Sequence, residues 1–125
     1  MVKTPKTGAS RRRTLGLWMN GEFVGTWRLD AGGEDVLEYD LAWKAASLGR
    51  PLSISLPFTP GSTAHRGAVV RTYFDNLLPD SHDIRARAAS RFKARSTDAF
   101  DLLAQIGRDC VGALQILPEG SAPGD

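Results

Sequence analysis

Asp75, Asn76 and Asp80 fall within the nine residues YFDNLLPDS, 73–81. Two carboxylates and an amide are the residue types that hold divalent metal and phosphate oxygens during phosphoryl transfer. The segment also has a plainer reading. Leu77 and Leu78 suit a core, Pro79 stops a helix, and Asp80 or Ser81 satisfies the free N–H groups of the next helix. A metal site needs more converging oxygens than these, and Asp83 stands at no spacing that demands such a role. The plainer reading is preferred. Other candidates fare no better. His65 and His82 are 17 residues apart, without cysteine or carboxylate at ligand spacing, which argues against zinc. Ser53 and Ser55 lack a GxSxG elbow and a placed base. AGGED (31–35) has adjacent glycines but precedes only a short strand, so it reads as a turn and not as a phosphate-cradling loop. His65-Arg66 is followed by Gly67 where a kinase catalytic loop would carry aspartate. Neither a catalytic residue, nor a metal, nor a cofactor is expected.

Positioning elements follow from the hydrophobic pattern. TLGLWMNGEFVGTWRL alternates on either side of Asn20-Gly21, the strongest short-range hairpin signal, so strands are expected at 14–19 and 22–29. VLEYD gives a third strand at 36–40. Asp40 can cap a helix that Gly49 and Pro51 stop. LSISLP (52–57) alternates and predicts a half-buried strand. Residues 57–67 are expected to be a loop, and helices are expected at about 68–78, 81–92 and 98–106. Trp18, Trp27 and Trp43 read as core. VGALQILP (111–118) predicts a last strand, with Cys110 ahead of it as a small buried thiol. Strands early, helices late and one closing strand predict an α+β fold: a small antiparallel sheet with helices packed on one side, in a single domain.

The 125 residues suit one domain, and 42% hydrophobic with 24% charged side chains is an ordinary globular composition. A single cysteine excludes an intrachain disulfide and fits a reducing cytoplasm. No apolar run approaches the roughly 20 residues of a membrane span. The net charge of +2 divides unevenly: five basic side chains lie in residues 1–13, while residues 14–125 hold 11 basic and 14 acidic ones, a net of −3. Residues 1–13 are expected to form a disordered basic arm, 14–119 the folded domain, and 120–125 a flexible tail. Five cations without aromatics give weak, non-specific phosphate binding, so direct DNA contact is not expected of the arm. Arg85, Arg87, Arg91 and Arg95 read as a solvated helix face, with an acidic partner or DNA phosphates as the functional alternative.

Four stretches, GLWMNGEFVG (16–25), RPLSISLP (50–57), FDNLLPDS (74–81) and FDLLAQIGRDCVGALQILPE (100–119), together resemble the N-terminal subdomain of HipA-type toxins. These are serine/threonine kinases of bacterial toxin–antitoxin systems. A HipA-type kinase continues for some hundreds of residues that carry its nucleotide loop, catalytic aspartate and metal-binding aspartate. The resemblance therefore implies a non-catalytic chain. In some related systems the kinase lacks this subdomain, and a separate protein resembling it, HipS, is the antitoxin, with the DNA-binding protein HipB as a third component. The implied function is a HipS-like antitoxin that neutralises a HipA/HipT-like kinase, and the opening methionine and short tail fit a separate gene product. The alternatives are an N-terminal fragment of a HipA-type kinase and a nucleic-acid-binding module. For an antitoxin the working part is a surface. The long loop 57–67 and the helix after it are expected to dock on the kinase through Phe58, His65, Arg66, Val70, Arg71 and Tyr73.

Overall fold

A computed structural model describes residues 13–62, 64–109 and 114–123. Five strands form one antiparallel sheet: β1 (Thr14–Met19), β2 (Glu22–Leu29), β3 (Asp35–Tyr39), β4 (Ala64–Arg66) and β5 (Leu114–Pro118), in the order β4-β3-β2-β1-β5. Among the described residues, four α-helices accompany it: α1 (Leu41–Ala45), α2 (Ala68–Asp75), α3 (His82–Phe92) and α4 (Ala99–Ile106). The fold is α+β, as the element order predicts. None of these helices is long and apolar enough to cross a membrane.

The β1–β2 hairpin closes on Asn20 and Gly21, both at positive φ (51° and 80°), the conformation for which these two residue types are suited. Leu17 pairs with Gly25 and Trp18 with Phe23, so Val24 is an extra residue in β2. That bulge breaks the strand's alternation and brings both Val24 and Trp27 into the core. Leu15, Leu17 and Met19 of β1, Leu37 of β3 and Ile116 of β5 complete the covered face. Trp27 stacks flat on Phe74 of α2, centroids 3.8 Å apart, and meets Phe100 of α4 edge-on at 4.8 Å. These two contacts hold α2 and α4 to the sheet. α3 buries no side chain fully and packs as an outer element on α4. The other sheet face carries the Trp18–Phe23 pair and the Arg28–Glu38 ion pair.

The expected strand at 52–57 does not form. Leu52 and Leu56 turn inward, but the residues between them make a tight turn, with the Leu56 N–H bonded to the Ser53 carbonyl at 3.0 Å. β4, by contrast, forms inside the expected loop and pairs with β3. α1 is shorter than the segment from Asp40 to Gly49, and Asp40 makes no side-chain cap. Ser81 caps α3, its Oγ accepting from the Ile84 N–H at 3.3 Å. Leu78 is buried, whereas Leu77 is only half-buried. The expected basic arm lies outside the described residues except for Arg13, whose carbonyl accepts from the Leu29 N–H at 3.0 Å and so extends the hairpin. Cys110 and residues 111–113 of the expected last strand also lie outside them.

Candidate partner-docking site

Tyr39 ends β3 and is buried, 2% exposed. Its hydroxyl donates to the Leu56 carbonyl at 2.6 Å and accepts from the Leu52 N–H at 2.9 Å. One side chain thus ties both ends of the five-residue turn 52–56. Pro51 and Pro57 flank it and bring no N–H of their own. The Ser53 and Ser55 hydroxyls lie 3.0 Å apart, and Ser53 Oγ accepts from the Ser55 N–H at 3.2 Å. Ile54, at the tip, is 99% exposed. Burial pushes the Tyr39 hydroxyl up to about 12; the Leu52 N–H lowers it and Tyr73 adds to the rise. Burial also raises Tyr73.

The pinned turn forms one wall of an open groove of about 470 Å³. The other wall is α2, through Val69, Thr72 and Tyr73, with Asn76 and Leu77 just past its end. Apolar surface predominates, and no charged side chain lines it.

The opposite flank of α2 is built on charge. Asp35 is 4% exposed, and both its oxygens are engaged: Trp27 Nε1 donates to Oδ2 at 2.9 Å and Arg71 Nε to Oδ1 at 3.2 Å. Burying a carboxylate without such partners would be costly. The Arg71 side chain itself is 69% exposed. Beside it lies a cavity of about 280 Å³ lined by charges of both signs, among them Arg13, Arg85 and Asp98. Asp75 faces the same cavity but is held by Arg85, Nη1 to Oδ1 at 2.7 Å, while Arg85 also donates to the Pro79 and Asp75 carbonyls. YFDNLLPDS is thereby a helix end locked by an arginine. No group of three or more metal-ligating side chains converges among the described residues.

The six residues expected at a contact surface are scattered by the fold. Val70 has no exposed surface and belongs to the core, so it is removed from the site: the α2 face that meets the sheet carries Val70 and Phe74 together. Phe58 packs edge-on against Tyr39 at 4.8 Å, bracing the pinned turn from behind. His65 Nε2 lies 2.7 Å from the Pro57 carbonyl, which can only accept, so Nε2 carries the proton. Arg66 is exposed and reaches Asp30 and Glu34 at 3.5 and 3.6 Å. Arg71 and Tyr73 are two residues apart, about 160° around a helix, and lie on opposite flanks of α2, one at the cavity and one at the groove. Ile54, Val69 and Asn76 were missed. The flanking serines and prolines of Ile54 were the available signal, but the strand-like alternation of LSISL masked it.

The chain is thus an α+β domain with a pinned turn beside a largely apolar groove. The sequence profile of the HipA N-terminal domain family matches residues 15–117, and the chain belongs to that family. It is also 34% identical over 111 residues to the Sinorhizobium fredii protein named "Putative kinase Y4mE". That match takes in 89% of this chain and 26% of the relative, so the chain spans about a quarter of the relative's length.

Proposed function

We propose that the chain is a non-catalytic partner of a HipA/HipT-like serine/threonine kinase, a HipS-like antitoxin that neutralises the kinase by surface complementarity in the bacterial cytoplasm. The observation that carries this reading is the turn 52–56. Its ends are tied by Tyr39, and its tip presents Ile54 to solvent next to the α2 groove. A preorganised apolar tip loses little conformational freedom on binding, which is how a small surface gains affinity. Family membership supports the choice of partner, since the relative that carries this domain is named as a kinase and continues well beyond it. The Asp75–Arg85 pair supports the non-catalytic part, because it commits Asp75 to holding α2 and α3 together. The long match within a larger relative also favours a second reading, in which the same surface packs on the rest of a HipA-type kinase in one chain. A HipB-like DNA-binding protein is the third component under the first reading.

Calorimetric titration against a HipA-like kinase that lacks this domain tests the proposal. Ile54→Asp and Tyr73→Ala should each weaken binding by about ten- to a hundredfold, in the range of interface hot spots. Arg71→Ala, on the other flank, should change it less. Growth rescue in cells should follow the same order. Parental binding by Ile54→Asp would remove the turn from the interface, and radiolabel transfer from ATP by the isolated chain would end the non-catalytic reading.

A further inference from the structure

The arginines of the domain are not all used in the same way. Arg28, Arg66, Arg71 and Arg85 each reach a carboxylate. Arg87, Arg91, Lys93 and Arg95 do not: all four are exposed, and none makes an ion pair among the described residues. They occupy a stretch of nine residues at the C-terminal half of α3 and just beyond it. Arg87 and Arg91 are one helical turn apart, the spacing of neighbours on a single face. Arg91 also lies over the half-exposed Phe92 ring, 5.6 Å from its centroid, which restricts the guanidinium. The dipole of α3 favours a cation or two in its last turn, but it does not account for four without a counter-charge. Nor is the cluster part of a generally basic surface, because residues 14–125 carry a net charge of −3.

We propose that Arg87, Arg91, Lys93 and Arg95 bind the phosphate backbone of duplex nucleic acid without reading its sequence. Charge complementarity selects this occupant. A duplex presents a negative charge about every 1.7 Å along its axis, which suits closely spaced cations without interspersed carboxylates, whereas a folded protein surface alternates its signs. Guanidinium forks match phosphate oxygens in geometry. The acids Asp80 and Asp83 stand at the other end of α3, so the backbone approaches its C-terminal half. This surface is separate from the α2 groove, and its test requires no kinase.

Fluorescence anisotropy of a labelled random-sequence 20-base-pair duplex, titrated with the full chain from 50 to 200 mM potassium chloride, reads it out. Binding should weaken steeply with salt, by about 0.9 in log–log slope for each phosphate neutralised. Replacing all four residues with glutamine should flatten that slope by up to about 3.6, with the circular dichroism spectrum and melting curve unchanged, because none of the four is buried. Arg87→Lys/Arg91→Lys should retain most of the binding. Three results would overturn the proposal: no binding at 50 mM salt, a quadruple variant that binds as the parent does while deletion of residues 1–12 abolishes binding, or binding of poly-glutamate in place of the duplex, which would assign the face to an acidic protein.

Discussion

Tyr39→Phe removes one oxygen and changes nothing else in shape, so the effect isolates the pin. Two hydrogen bonds disappear: the one donated to the Leu56 carbonyl and the one accepted from the Leu52 N–H. Neutral hydrogen bonds contribute about 1 kcal/mol net, and a buried group left unpaired costs about 1–3 kcal/mol. Leu56 has no exposed surface, so its carbonyl takes the higher cost. Leu52 is half-buried, and its N–H recovers part of the loss from water. The expected destabilisation is about 2–4 kcal/mol, a large share of the roughly 5–15 kcal/mol available to a domain. Urea unfolding followed by tryptophan fluorescence measures it, with an unchanged m-value showing that the folded state keeps its compactness. Amide exchange supplies the local readout. The Leu56 N–H, bonded to Ser53 within the turn, should lose protection more than the β1–β2 ladder does. A midpoint shift equivalent to less than about 0.5 kcal/mol, with Leu56 protection intact, would refute the claim that Tyr39 holds the turn.

The same hydroxyl sets an alkaline limit. Its pKa is raised in the fold to about 12 from 10.0, so the unfolded chain deprotonates first. The stability this group contributes is complete below pH 10 and declines as pH rises from 10 to 12, by up to about 1.4 kcal/mol per pH unit; urea midpoints across that range should show the decline, and Tyr39→Phe should lessen it. Ser81→Ala should cost about 1 kcal/mol as loss of the α3 cap, while Asp80→Ala should leave the urea midpoint nearly unchanged; the reverse order would place the cap on Asp80.

Regularly patterned elements were legible because their signals are local. Asn20-Gly21 demands a hairpin whatever else the chain does, and Ser81 ahead of a helical pattern marks the start of α3. The segment 52–57 was misread because period-two alternation reports only which side chains point inward. Leu52 and Leu56 do point inward, but the partner that shapes the backbone between them is Tyr39, 13 to 17 residues earlier. β4 carried no alternation in its three residues and owes its pairing to β3. Solvent exposure of the expected contact residues was partly legible. Arg71 and Tyr73 are at the surface, but nothing in their spacing showed that Asp35, 36 residues before Arg71, would claim one flank of α2. Val70 was placed outward for want of the helix phase, which Phe74 fixes by stacking on Trp27.

The pin at Tyr39 divides the turn into a frame and a tip. The frame is Tyr39, Leu52 and Leu56, whose bonds use backbone atoms of the turn, so they are indifferent to the side chain at position 54. The tip touches nothing in its own fold, at 99% exposure. A substitution there is therefore nearly silent for folding and is felt by whatever docks. In the proposed docking role, such a division lets recognition diverge one residue at a time: copies of the domain in one cell would be insulated from cross-talk by the chemistry of a single exposed side chain.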